Sequence, residues 1–109
     1  MTGGNILLQG TNPRLTIRVP ADKLNLADLD RFELTLAQGT NISIKTNEDV
    51  TIDTEANTVT YQFTQAETLA LDPHQPLTWQ ARFRLQSGDI IGTWASTIKV
   101  VDLISSEVI

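Results

Sequence analysis

An all-β fold is predicted by three features of the sequence. Apolar and polar residues alternate with a period of two along most of the chain, as they do in strands that bury one face. Short segments with turn chemistry separate these stretches, and no stretch has the apolar spacing of a long helix. Threonine is frequent and falls mostly at the polar positions, where a β-branched side chain suits the outward side of a sheet.

Seven stretches carry the alternation, and each is predicted to be a strand that buries its apolar side chains. The apolar positions of the first six are, in order, Leu15, Ile17 and Val19; Phe32, Leu34 and Leu36; Ile42 and Ile44; Val50 and Ile52; Val59, Tyr61 and Phe63; and Trp79, Ala81, Phe83 and Leu85. The seventh is one long strand over residues 90–100, which places on one face Gly92, Trp94, Ser96, Ile98 and Val100.

Turns fall where these strands need them. Residues 38–41, 54–57 and 86–89 are short links that contain glycine or asparagine. Because the links are short, the strands that they join are predicted to be antiparallel neighbours. Pro13 and Pro20 bracket the first strand, and proline cannot donate to an interior ladder, so this strand is predicted at a sheet edge.

Three segments between the predicted strands, and the end of the chain, lack the alternation. Residues 21–29 are compatible with one helical turn or with a loop over one end of the core. Residues 64–67, Thr-Gln-Ala-Glu, have the spacing of a capping box and predict a one-turn helix. Residues 72–76 contain two prolines and predict a bend. Residues 104–109 are expected to form a loose tail.

An immunoglobulin-like antiparallel β-sandwich is the architecture that these elements favour. About seven strands in about 100 residues, with two tryptophans, match that shape, and the lack of cysteine excludes the disulfide of antibody domains. A small closed barrel is the competing architecture. The chain has 109 residues and no repeat or linker, so residues 1–109 are predicted to form a single domain.

Composition excludes several function classes. The chain has 8 basic and 13 acidic residues and a formal net charge of -5, which opposes binding to nucleic acid. Without cysteine there is no thiolate zinc site, and one histidine offers little imidazole chemistry. The N-terminus lacks a basic segment before an apolar one, and the apolar runs are too short to cross a bilayer. We therefore expect synthesis in the cytoplasm without a signal peptide, and no membrane partner.

No arrangement of residues predicts catalysis. His74 lies in the bend between two prolines, with no second histidine or cysteine to complete a metal site. Glu48, Asp49, Asp53 and Glu55 could supply calcium ligands, but they lack the spacing of a calcium loop, so a solvated surface is favoured. Neither a nucleophile elbow nor a phosphate loop is present. The chain is expected to be no enzyme, with no catalytic residue, cofactor or metal.

The two tryptophans are the remaining candidates. Trp79 shares its face with apolar residues of its strand, so it is predicted to lie in the core. Trp94 has small neighbours on its face; burial in the core is favoured, and the alternative is an exposed platform that stacks a sugar ring. Arg82 and Arg84 alternate with the core residues and are predicted to pair with acidic residues of a neighbouring strand.

Four stretches, in this order, carry a resemblance to a known family. They are an N-terminal turn and first strand at residues 9–19, a strand and a Thr-Gln-Ala-Glu-Thr turn at residues 57–69, a late hairpin with a Ser-Gly-Asp turn at residues 79–93, and the ending at residues 101–109. Together they resemble small immunoglobulin-like proteins encoded among the tail and baseplate genes of phages and prophages of Gram-positive bacteria, relatives of the N-terminal domain of baseplate upper proteins. One departure is residues 10–13, Gly-Thr-Asn-Pro, which replace an acidic Gly-Asp turn.

The resemblance implies a non-enzymatic structural role. It predicts a virion-associated tail or baseplate protein that docks on other tail proteins, or on further copies of itself, and it brings no site residues. The alternative that stays open is a carbohydrate-binding or adhesion module in which Trp94 is the stacking residue.

Overall fold

The computed structural model describes residues 6–102, and within them two β-sheets pack face to face. The nine strands are β1 (Ile6–Leu8), β2 (Arg14–Arg18), β3 (Leu29–Gln38), β4 (Asn41–Thr46), β5 (Thr51–Asp53), β6 (Thr58–Gln62), β7 (Leu77–Leu85), β8 (Ile90–Gly92) and β9 (Ser96–Val101). The short helices are α1 (Gln65–Leu69) and the 3-10 turns Leu26–Asp28 and Asn47–Asp49. None of the helices within these residues is both long enough and apolar enough to span a bilayer.

The strand order is that of an immunoglobulin-like sandwich. The large sheet has the order β1-β9-β7-β3-β4, with β8 also paired to β7, and the small sheet has the order β2-β6-β5. All pairs are antiparallel except β1 with β9. Since no hydrogen-bonded strand pair joins the two sheets within the described residues, the sandwich prediction is confirmed and the closed barrel is excluded.

The core lies between the sheets and is built mainly from alternate residues of five strands, β2, β3, β6, β7 and β9. Both sheets contribute to it: Leu15, Ile17, Val59, Tyr61 and Phe63 from one side, and Phe32, Leu34, Leu36, Leu77, Trp79, Ala81, Phe83, Ile98 and Val100 from the other. The rings of Phe32 and Phe83, on paired strands, have centroids 5.2 Å apart. The prediction that Trp79 is buried is confirmed, because only 5% of its surface is exposed.

The predicted hairpins are all present. Turns at Gly39, between residues 54 and 57, and at Gly88 join β3 to β4, β5 to β6 and β7 to β8. Gly39 has φ +60° at the first position of a two-residue turn, which matches a type II′ turn. The predicted edge position of β2 is also confirmed, since among the described strands β2 pairs with β6 alone.

Asn57 holds the segment after β2 in place. It has φ 55°, a left-handed conformation that asparagine tolerates, and it is buried. Its amide donates hydrogen bonds to the carbonyls of Val19 and Leu24, both at 2.8 Å, and its side-chain oxygen accepts from the backbone N–H of Leu26 at 2.9 Å. The segment after β2 has no neighbouring strand among the described residues to satisfy these backbone groups, and the Asn57 side chain provides their hydrogen-bond partners instead.

The predicted helical turns form where expected, and one more is present. At α1 the Thr64 hydroxyl accepts from the N–H of Glu67, whose carboxylate accepts from the N–H of Thr64, as in the predicted capping box. The turn Leu26–Asp28 falls within residues 21–29. The turn Asn47–Asp49 was not predicted. The predicted tail over residues 104–109 lies outside the described residues.

The prediction of one long strand over residues 90–100 is wrong. The strand breaks after Gly92 and resumes at Ser96, and the buried face changes phase across the break. In β8 it is Ile91 that packs against the core, whereas in β9 the buried residues are Ile98 and Val100. At the break, Thr93 accepts the N–H of Ala81 with its hydroxyl and donates its own N–H to the carbonyl of Ala81.

Candidate docking surfaces

The edge strand β4 presents its isoleucines to solvent, and here the sequence prediction is wrong. Ile42 is 66% exposed and Ile44 is 53% exposed. The cause is the register of the hairpin, in which the two-residue turn pairs Ile42 with Ala37 and Ile44 with Thr35 on the outward face of β3. The polar residues Ser43 and Lys45 consequently face the interior.

Within residues 6–102, no strand pairs with the outer side of β4. In a two-residue hairpin the closing pair is hydrogen-bonded, and bonded pairs then alternate along the ladder. Asn41, Ser43 and Lys45 therefore bond to β3, and Ile42 and Ile44 direct their N–H and C=O groups away from the sheet. The N–H of Thr46 has the same outward phase, and the carboxylate of Asp49 accepts it at 2.9 Å. The edge therefore offers two residues with unused backbone groups.

Behind β4, a polar cluster closes the gap between the sheets. Lys45 Nζ lies 3.2 Å from Glu67 Oε2 and 5.4 Å from the centroid of the Tyr61 ring. The Tyr61 hydroxyl donates to the Glu67 carboxylate, with O–O distances of 2.7 and 2.8 Å. Burial of the phenol, and next its hydrogen bond to the Glu67 carboxylate, raise the pKa of Tyr61 well above its ordinary value. The charge of Lys45 is therefore neutralised within the chain.

A cleft of about 350 Å³ opens beside this cluster, between β4 and α1. Its apolar wall is formed by Leu36, Phe63, Leu71 and Leu77. Gln38, at its end, donates hydrogen bonds to the carbonyls of Asp72 and Gln75 and accepts the N–H of Asp72. The cleft is an apolar recess at the open side of the sandwich, next to the free edge of β4.

Trp94 is not in the core, contrary to the favoured prediction. It is 93% exposed and lies in the break between β8 and β9. The residue before it is firmly held, because the Thr93 carbonyl also accepts the side-chain amide of Gln80 at 3.0 Å. The phase change at the break turns the indole away from the core, and the result is a protruding aromatic side chain beside an ordered backbone.

Outward ion pairs neutralise the middle of the large sheet, as predicted. Arg82 binds the carboxylate of Glu33 on β3, and Arg84 lies 2.8 Å from Asp30 Oδ2. Both pairs are substantially exposed, so their contribution to stability is small. Their effect on the surface is that acidic residues of β3 neutralise the charges of Arg82 and Arg84.

The other residues that the sequence singled out have local structural contacts. His74 is exposed, and its backbone N–H donates to the Asp72 carboxylate. Asp53 accepts the backbone N–H groups of Glu55 and Ala56 in the turn after β5. Over the described part of the chain, no three acidic or histidine side chains come together as a metal site would require.

The β4 edge is the surface that sequence reasoning missed. The Gly-Thr turn at residues 39–40 could have revealed it. If residues 38 and 41 close a two-residue turn, the next pair is Ala37 with Ile42, so Ile42 lies on the face opposite Leu36. Alternation alone did not contain that information, because it leaves the choice of face open.

A comparison with models of known protein families finds no match for this chain, and a comparison with curated proteins finds no relative.

Proposed function

We propose that this chain is a non-enzymatic structural protein of a phage or prophage particle, a tail or baseplate component that acts by docking on other proteins. The observation that carries the proposal is the β4 edge, where unpaired backbone groups and two exposed isoleucines lie side by side. A long exposed apolar edge is a liability in an isolated protein and a natural contact in an assembly. The resemblance of four ordered stretches to phage tail and baseplate proteins is the reason that we propose a tail as the assembly.

Docking at such an edge follows from ordinary sheet chemistry. A strand added to β4 gains main-chain hydrogen bonds, while its alternate side chains contact the isoleucines on one face and the apolar cleft on the other. Because the added strand needs only a free backbone edge and apolar side chains, neither a cofactor nor a reaction is involved. In this proposal the protein is made in the bacterial cytoplasm and becomes virion-associated.

The test is whether the chain is part of a particle. Particles induced from the bacterium that carries the gene are purified, separated into tails and heads, and analysed for this protein by mass spectrometry and by antibody labelling in the electron microscope. We expect the protein in the tail fraction, at the baseplate end. Its absence from every particle fraction, together with no binding to any of the separately purified tail proteins, would contradict the proposal.

A second candidate function is a carbohydrate-binding or adhesion module, and the exposure of Trp94 favours it. An indole that is 93% exposed on an ordered backbone can stack against a sugar ring. A glycan panel, followed by titration of the best ligand against Trp94→Ala, tests this function. The matched control is Ile90→Ala, which removes an exposed apolar side chain from the neighbouring strand. Equal affinity of Trp94→Ala and the unchanged protein, or no glycan bound, removes this candidate.

A further inference from the structure

We propose that β4 pairs antiparallel with β4 of a second copy of this chain, so that the two large sheets join across a two-fold axis. The inference builds on the docking role proposed above and names its surface and its partner. It starts from the two residues of β4, Ile42 and Ile44, whose backbone groups point away from β3.

The hydrogen bonds available on this edge select one register. Two antiparallel copies can face each other with Ile42 of one opposite Ile44 of the other. This arrangement forms two hydrogen-bonded residue pairs, which use each N–H and C=O group of Ile42 and Ile44 in both copies once. A register shifted towards Thr46 would need a backbone N–H that the Asp49 carboxylate already accepts. The free groups are therefore complementary to themselves in the register that centres on Ser43.

The side chains fit the same register. A two-fold axis through Ser43, perpendicular to the sheet, keeps the outward faces of the two copies on one side. The two exposed isoleucines of each copy then form a cluster of four on that face, which removes apolar surface from water. On the inner side, Ser43 faces Ser43 and Lys45 faces Asn41, so no large side chain blocks the approach.

Charge does not oppose this contact, although the whole chain has a net charge of -5. A lysine on an edge strand can oppose pairing with another chain, but the ammonium of Lys45 forms an ion pair with Glu67 of its own copy. The acidic residues Glu48 and Asp49 follow the end of β4, where the other copy places its uncharged turn at residues 39–40. The seam therefore brings no like charges together.

Other edges of the sandwich are less suited to a second copy. β2 carries Arg14 and Arg18 on its outward face and is flanked by prolines, so two copies would bring like charges together. β5 has three residues, one of them Asp53. β1 also has three residues, and the chain before it lies outside the described range. β4, with six residues and no outward charge, is the edge that fits.

The contact is small, and this sets the expected strength. Two isoleucines and a few backbone groups per copy bury less than the roughly 1,200 Å² of a lasting interface. We therefore expect reversible pairing that becomes appreciable between about 10 µM and 1 mM in solution, and firm pairing only where other contacts hold copies together in a particle.

A single-cysteine scan tests both the pairing and its register, since the chain has no cysteine of its own. In the proposed register, Ser43 is the residue of β4 that faces itself, in a non-hydrogen-bonded pair with a Cα–Cα distance of about 4.5 Å, within the range of a disulfide. Under mild oxidation we expect Ser43→Cys to form a covalent dimer at least tenfold faster than Ile42→Cys or Ile44→Cys. Ser87→Cys, in an exposed turn away from β4, measures random collision.

Light scattering after size exclusion tests the same contact without cysteine. We expect the mean mass of the unchanged chain to rise from 12.0 kDa towards twice that value with concentration, and Ile44→Lys to abolish the rise. Ile90→Lys is the matched control: Ile90 is 64% exposed on β8, so it introduces the same charge on the same sheet away from the seam. A variant counts only if its circular dichroism and unfolding curve match those of the unchanged chain.

The outcomes separate this inference from the proposed function. A monomer up to about 1 mM, with Ser43→Cys no faster than Ser87→Cys, overturns the inference, and so does preferential coupling through Ile44→Cys, which marks another register. If the chain is nevertheless found in tails, docking stands and another partner uses β4. Pairing through Ser43 with the chain absent from every particle supports the inference and contradicts the tail function.

Discussion

Strands β7 and β4 carry the same alternation of apolar and polar residues but point their apolar side chains in opposite directions. In β7 the apolar set, which includes Trp79 and Phe83, faces the core. In β4 the apolar residues Ile42 and Ile44 face solvent. The comparison teaches that a period of two identifies a strand, whereas the register with its neighbour decides which face is buried.

The surroundings of the two strands explain why both arrangements are stable. β7 is central, with strands on both sides and the small sheet opposite its inner face. β4 lies at an edge, and opposite its inner face are the Tyr61 ring and the Glu67 carboxylate, which suit a lysine better than an isoleucine. An inward Lys45 therefore has specific partners, and the isoleucines remain outside.

The largest effect should follow from truncating the buried face of β7. Phe83 is 1% exposed and packs against Phe32, so Phe83→Ala removes a large core side chain and leaves a cavity. We expect a loss of about 3 to 5 kcal/mol in the free energy of unfolding, measured by equilibrium denaturation. A loss below about 1 kcal/mol would mean that this face of β7 is not buried.

A smaller effect should follow from removing the charge behind β4. Glu67→Gln loses the ion pair with Lys45 and weakens the hydrogen bond from Tyr61, both in a partly buried setting. We expect a loss of about 1 to 2 kcal/mol by equilibrium denaturation. The matched control is Glu48→Gln, because Glu48 is an exposed acid in a short turn, and it should change stability by less than about 0.5 kcal/mol. Equal losses in the two variants would contradict the role of the cluster.

The same cluster predicts how stability depends on alkaline pH. Tyr61 is the single tyrosine, so absorbance near 295 nm reports its ionisation alone. Burial raises the pKa of Tyr61 in the folded chain above its unfolded value of about 10, so the folded state favours the neutral phenol. This contribution is fully present below about pH 10 and is lost as pH rises further. We expect no ionisation step near pH 10 until the chain unfolds, and an ordinary step there would contradict the cluster.

The smallest effect on stability should come from the outward face of β4. Ile44→Thr keeps a β-branched side chain at a half-exposed position, so the free energy of unfolding should change by less than about 0.5 kcal/mol. The loss in the free energy of unfolding would then be severalfold larger for Phe83→Ala than for Ile44→Thr, although the two strands have the same pattern. A loss above about 2 kcal/mol would show that Ile44 is buried in the isolated chain.

Sequence reasoning was correct where local chemistry or strong burial determined the outcome. The capping box of α1, the three hairpins, the edge position of β2 and the outward ion pairs of Arg82 and Arg84 all follow from neighbouring residues or from one strand pair. It was wrong for Ile42 and Ile44, and it favoured the wrong environment for Trp94. Those positions depend on a register and on a strand break that the alternation does not reveal.

By itself, the sequence determined that this chain is all-β, because periodicity, turn residues and the lack of long helices are properties of neighbouring residues. It favoured a sandwich, and the sheet topology then excluded the closed barrel. The tertiary structure alone decided which apolar residues stay outside. A two-residue turn aligned β4 so that its isoleucines lie beside Ala37 and Thr35. At the break after β8, Thr93 makes two hydrogen bonds with the backbone of Ala81, and Trp94 points outward. Both outcomes depend on pairing between strands, where a shift of one residue exchanges the buried face for the exposed one.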